Sequence, residues 1–140
     1  MTYIFPTHNL KRYRFPTHTN HLVMDRSAAT ASEVFIVELA PGEATPAHQH
    51  DDTEQIFYVL EGRGYVEIDQ VDVYPMSPGD VVRIPPASLH AIHAFDDEPL
   101  CYLAVDCFPG CRPDAEPTWD DHVRAVCEQQ GWDYNTVVEQ

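Results

Sequence analysis

Lysine is almost missing from this chain. Lys11 stands alone beside seven arginines, against 23 aspartates and glutamates, and the formal net charge is −15 over 140 residues. A surface so poor in cations repels nucleic acid and anionic membranes at long range, so neither is expected as a partner. No DNA-binding segment is apparent either. An anionic substrate stays open, because a local arginine or a metal ion can reverse the field inside a pocket. Long hydrophobic runs are also missing. No stretch approaches the ~20 apolar residues that cross a bilayer, and residues 1–24 contain no signal-peptide core. A cytoplasmic location is therefore expected. Cysteine is limited to Cys101, Cys107, Cys111 and Cys127. Nothing points to export, so these are expected as free, mostly buried thiols and not as disulfides. Cys107 and Cys111 have a zinc-like interval, but no second pair completes it.

What is present suits one domain with one core. Hydrophobic residues make up 44% of the chain, and 12 prolines break it into short pieces. Strand signals are continuous from Glu33. Alternating or β-branched runs at 34–39, 55–60, 65–68, 71–74, 80–84, 90–95 and 100–108 are separated by turns such as Pro41-Gly42, Glu61-Gly62 and Pro78-Gly79. Short strands with turns every eight to twelve residues predict an all-β sandwich or barrel over residues 33–110. Residues 1–32 are polar and irregular with aromatic islands, and read as an arm that packs on the core or on a second subunit. Residues 111–140 form a tail of different character. Thr118 can cap a helix and Asp121 can complete a capping box. Trp119, Val123, Val126 and Cys127 share one helical face, and Gly131 is a natural stop. One helix over 119–130, packed against the barrel, is the expectation; an active-site lid is the alternative.

The pair His48 and His50 carries the chemistry. Alternate residues of an extended segment point to one side, so both imidazoles can reach a single ion. Glu54 and Gln55 follow and offer an oxygen donor. Imidazole with oxygen suits zinc, nickel, iron or copper.

A second signature runs from Gly79-Asp80 through Pro85-Pro86 to His90. Together the two segments resemble the motifs of the cupin superfamily, over about residues 33–108. The resemblance implies a double-stranded β-helix, a jelly roll, with the C-terminal α-helix added. It matches His48, His50 and His90 to metal ligands, and Gly42, Gly62, Gly79 and Pro85 to the framework. The second-motif glycine is Ala87 here, and the final asparagine is Ala94. The acidic ligand departs from the pattern. Six residues before Gly62 lies Gln55; three residues after His50 comes Glu54. Neighbours on a strand face opposite sides, so only one of them can turn inward. The Glu61-Gly62 turn fixes the register and selects Gln55, with Glu54 as the alternative if a bulge intervenes.

Three imidazoles and an amide leave a divalent ion its full charge, which favours Lewis-acid chemistry over iron-type redox turnover. The set looks like that of small cupins that process sugar acids. The resemblance thus implies an enzyme that uses zinc, nickel or iron to isomerise, ring-open, eliminate or hydrolyse a small polar metabolite. An iron or nickel dioxygenase, and a non-catalytic metal-stabilised binding module, are the alternatives. No convincing general base is evident. Arg83, Tyr58 and Tyr102 are candidate catalytic groups, with Tyr65 a weaker one, while His93 is expected to face away from the site. His8, His18, His21 and His122 carry no positional argument. Cupins commonly pair through sheet edges, so a homodimer is expected, with the aromatic N-terminal arm supplying part of the contact.

Overall fold

The computed structural model describes residues 2–138. Nine strands and two C-terminal helices follow in order among these residues: β1 (Lys11–Arg14), β2 (Thr19–Met24), β3 (Ser32–Leu39), β4 (Glu54–Glu61), β5 (Gly64–Ile68), β6 (Asp72–Met76), β7 (Val81–Ile84), β8 (His90–Ala94), β9 (Leu100–Cys107), α1 (Trp119–Gln130) and the single turn α2 (Tyr134–Val137). A six-stranded sheet runs β1-β2-β3-β9-β4-β7, and a three-stranded sheet runs β6-β5-β8. Neighbouring strands are antiparallel throughout. This is the jelly roll that the motifs implied.

Strand alternation places the core between the sheets. On β3, Glu33, Phe35, Val37 and Leu39 point inward; on β9, Leu100, Tyr102, Ala104 and Asp106 do so. Two of these eight are acids. Glu33 pairs with Asp106 across β3 and β9, and Asp106 pairs with Gln55 across β9 and β4. A row of three polar side chains therefore crosses the inner face of the larger sheet. Gly62 holds the β4–β5 turn at φ 75°, and a Cβ there would lie 1.7 Å from the Pro99 carbonyl oxygen. No side chain fits that position. The β4–β9 register shifts between Val59 and Glu61, inside the interval counted back from Gly62, yet Gln55 still faces inward. Ala87 also has positive φ, 61°, and its N–H donates to the His50 carbonyl at 2.7 Å. Alanine is strained there by about 1–2 kcal/mol, which explains why the motif favours glycine.

The N-terminal segment differs from expectation. Residues 11–24 are not an arm but two strands of the larger sheet, and the anticipated boundary at 32/33 falls inside β3. Tyr13 and Phe15 are buried in the core of their own chain and are not available to a partner. Lys11, Arg12 and Arg14 around Tyr13 gave β1 only one inward apolar residue, too little to register as a strand.

Helix α1 has the expected bounds and the Thr118–Asp121 capping box, and ends at Gly131 in left-handed conformation. Trp119 packs edge-on to Tyr13 at 6.1 Å and against Phe35 at 4.6 Å between ring centroids. Just beyond the helix, Trp132 meets Phe15 at 5.6 Å. The helix is thus seated on the β1–β3 part of the larger sheet. The four cysteines are free. Only Cys127 is fully buried; Cys101 and Cys107 are half-buried and Cys111 is exposed, so the thiols are less buried than expected. Among the described residues no helix is long and apolar enough to cross a membrane.

Candidate metal centre

The loop between β3 and β4 lies alongside β8. His48 N–H donates to the His90 carbonyl at 3.0 Å, and His90 N–H returns the bond to His48 at 2.9 Å. This exchange brings the imidazoles together, with ring centroids 4.3 Å apart for His48–His90, 5.0 Å for His48–His50 and 6.4 Å for His50–His90. Gln55 enters the same cavity from β4 in the opposing sheet.

Hydrogen bonding leaves the ring nitrogens ready to donate electrons. His48 Nδ1 sits 2.7 Å from the Pro46 carbonyl, and His90 Nδ1 sits 2.9 Å from that of Ser88. A carbonyl only accepts, so each Nδ1 carries the hydrogen and each Nε2 keeps its lone pair. His90 Nε2 and Gln55 Oε1 are both buried without a hydrogen-bond partner. Such atoms are costly unless something binds them. Among the described residues, no group of three or more His, Cys, Asp or Glu side chains is placed so as to hold a metal ion as it stands. The donor chemistry nevertheless fits a divalent ion at His48, His50, His90 and Gln55, with backbone carbonyls orienting two of the ligands.

A buried polar network accounts for the glutamine. Gln55 Nε2 donates to Asp106 Oδ1 at 2.8 Å, which turns Oε1 toward the cavity. Burial, then a hydrogen bond to Glu33, raises the Asp106 pKa well above the usual carboxyl range. Glu33 in turn is engaged by Arg26. That pair is bidentate, at 2.7 and 2.8 Å, and both side chains are buried. Arg26 Nη1 also donates to the Glu116 carbonyl at 3.1 Å, and Glu116 Oε1 accepts from His122 Nδ1 at 2.6 Å. That last bond holds the Glu116 carboxyl below its ordinary pKa. The chain of contacts runs from Gln55 to His122, whose ring lies 6.0 Å from that of His50.

The cavity has a volume of about 200 Å³. Of the candidate catalytic groups, Tyr102 lines it, and burial raises its pKa above the ordinary phenol value. Arg83 and Tyr58 do not. Arg83 is exposed and donates to Glu54 at 2.7 Å, so both sit on the outer face of the larger sheet. Tyr58 is exposed on the same strand face as Glu54. The pairings of Ile84 with Gln55 and Arg83 with Ile56 fix this: a strand that turns Ile84 inward must turn Arg83 out. His93 stacks on Tyr65 at 4.5 Å, away from the site. His18, Asn20, Asp106, Glu116 and His122 line the cavity and were not anticipated. Strand parity from Tyr102 reaches Asp106, and the helical interval from Trp119 reaches His122. Helix α1 is a cavity wall as well as a packing element.

Burial pushes the His50 pKa down to about 3 and that of His90 to about 4, with neighbouring imidazoles adding to the effect. His18 is lowered to about 3, also mainly by burial, and His48 is lowered. In the unfolded chain these groups titrate near ~6.5. Below that pH the unfolded state binds more protons, so the stability they contribute is full above ~6.5 and declines toward pH 4, by up to about 1.4 kcal/mol per pH unit for each of His18, His50 and His90, with His48 adding in the same direction. Asp106 acts in the opposite sense, one group against four. Urea midpoints of the metal-free protein should fall steadily between pH 6 and 4.5; a flat profile there would contradict neutral burial of these rings.

The model of the Cupin domain matches residues 35–106, more than half of the chain. The chain belongs to the cupin family. An uncharacterized protein of Methanocaldococcus jannaschii is 35% identical over 75 residues, or 54% of this cupin. The match covers 59% of that relative, under two thirds of its length. Among solved structures, a predicted oxalate decarboxylase of Thermotoga maritima superposes with a TM-score of 0.69 at 20% identity, covering 76% of this chain and 99% of its own. The polyketide cyclase RemF of Streptomyces resistomycificus gives a TM-score of 0.68 at 24% identity, covering 81% and 83%. At these identities the two structures share the fold, and the reactions in their names are their own.

Proposed function

We propose that this cupin is a metal-dependent enzyme in which His48, His50, His90 and Gln55 hold a divalent ion. The observation that carries this reading is the pair of buried, partnerless donors, His90 Nε2 and Gln55 Oε1, in one cavity with two further imidazoles. A divalent ion bound by neutral ligands supplies Lewis-acid polarisation of a carbonyl or hydroxyl oxygen. Isomerisation, ring opening, elimination and hydrolysis all use that chemistry.

The chain's own residues would do the rest. Glu116 fixes the His122 tautomer with Nδ1–H toward its carboxylate, so Nε2 is the nitrogen that can take up and return a proton. This supplies the general base that the sequence did not reveal, oriented by a carboxylate that is itself braced by Arg26. Tyr102 remains a phenol and can donate a hydrogen bond. Helix α1 covers the cavity and limits the entry of water, which strengthens polar interactions inside.

Metal content is the deciding measurement. Protein dialysed against zinc, nickel or iron should retain about one ion per chain, and the double variant His48→Ala, His90→Ala should retain almost none while still folding. An unchanged metal content in the double variant would place the ion elsewhere and sink the proposal.

A further inference from the structure

The cavity walls say what kind of molecule they fit. Phe15, Phe35, Phe57, Ile92, Val126 and Trp132 supply apolar surface from both sheets and the tail. Neither lysine nor arginine occurs among the described residues that line the cavity. Arg26 borders an adjoining hollow of about 60 Å³ that shares His50, Asp106, Glu116 and His122 with the cavity, and its guanidinium is committed to Glu33. A carboxylated sugar would set part of its polar surface against these apolar walls, and no cationic side chain of the cavity lining would meet its charge. An apolar cavity of ~150 Å³ accepts benzene, so a volume of about 200 Å³ suits a substituted single ring or a compact fused pair.

Of the four buried atoms outside the metal set that also lack a hydrogen-bond partner, two concern the cavity: Asn20 Oδ1, an acceptor, and Trp119 Nε1, a donor. Both residues line this cavity. They ask for a ligand with a donor and an acceptor on an apolar frame, which a phenolic or enolic ring compound provides.

We infer that the substrate of this cupin is an uncharged one- or two-ring compound bearing hydroxyl or carbonyl groups, bound by the aromatic wall with polar contacts to Asn20 and Trp119. The inference deepens the proposed function and rests on the same cavity being the active site. It replaces the sugar-acid class suggested by the ligand set alone.

Both tryptophans of the chain, Trp119 and Trp132, line the cavity, so fluorescence and calorimetry can be read together. The full chain is titrated with 2-naphthol, with its sulfonate 2-naphthol-6-sulfonate, and with D-galacturonate, once stripped of metal and once loaded with zinc. Expected is saturable, heat-releasing binding of 2-naphthol that shifts tryptophan emission, at least tenfold weaker binding of the sulfonate, and no binding of galacturonate. Asn20→Leu should weaken 2-naphthol about tenfold, the equivalent of one buried hydrogen bond. Because Asn20 is itself buried, Val126→Asp on the half-buried helix face provides a second variant and should also weaken it at least tenfold with the melting temperature retained. Galacturonate or the sulfonate binding as well as 2-naphthol overturns the inference, as does failure of 2-naphthol to bind either form. Binding of 2-naphthol by a protein that retains no zinc would uphold the ligand class and sink the metal reading. Zinc retained by His48 and His90 without 2-naphthol binding would do the reverse.

Discussion

Replacing Arg26 by alanine should destabilise the protein by about 3–5 kcal/mol, the range seen when one partner of a buried ion pair is removed. Arg26 is 2% exposed and Glu33 is fully buried. The guanidinium also lies over the Phe108 ring at 4.9 Å and bonds the Glu116 carbonyl. Its loss leaves Glu33 buried beside Asp106 with no cation to compensate it. The disturbance continues to Gln55, whose amide is oriented by Asp106, and to Glu116, which orients His122. Urea unfolding should show the loss directly, with a melting temperature lower by about 10 °C. Arg26→Met combined with Glu33→Leu should recover much of it, because an apolar pair needs no compensation. A loss below about 1 kcal/mol in the single variant would mean that Glu33 is not held as a buried carboxylate.

The second large effect concerns Gln55. Gln55→Glu exchanges an amide donor for an acid that faces Asp106, with Glu33 one strand further along. Without metal, this row of three acids should cost about 1–3 kcal/mol, as expected when a buried hydrogen bond is lost. With a divalent ion present the sign reverses. The added negative charge should tighten binding by about tenfold or more, roughly 1.4 kcal/mol, while turnover by Lewis-acid chemistry falls. Glu54→Gln disturbs only the surface pair with Arg83 and should change stability by less than about 1 kcal/mol. Thermal melts with and without zinc, and competition titrations for the ion, separate the two. Metal loss in Glu54→Gln with Gln55→Glu inert would reverse the roles assigned to the neighbouring residues.

The barrel was legible because turns and alternation agree along residues 33–108, and the helix because cap, face and stop coincide. The inward side chain at Gln55 followed from counting back from a glycine that only a glycine can replace. Arg83 was not decidable from its own strand: its direction depends on which residue it opposes on β4, and pairing is a tertiary fact. The strands before Glu33 were missed because charged neighbours mask single buried aromatics. The network behind Gln55 was invisible for a related reason. Glu33 and Asp106 lie more than seventy positions apart and look like ordinary surface acids until the sheet makes them neighbours. His122 was obscured by its company, since Trp119, Val123 and Val126 on one helix face suggest packing alone.

Phe15, His18 and Asn20 come before the barrel in the chain, whereas Trp119, His122 and Trp132 come after it, and all of them border one cavity. Tyr13 and Val138 are bridged, tying strand β1 to the segment that follows α2. During synthesis the N-terminal strands emerge early, but their exposed aromatic face has no cover until the helix leaves the ribosome. The central strands can pair by then, whereas the mouth of the barrel stays open. Closure by the C-terminal segment turns an open jelly roll into a chamber.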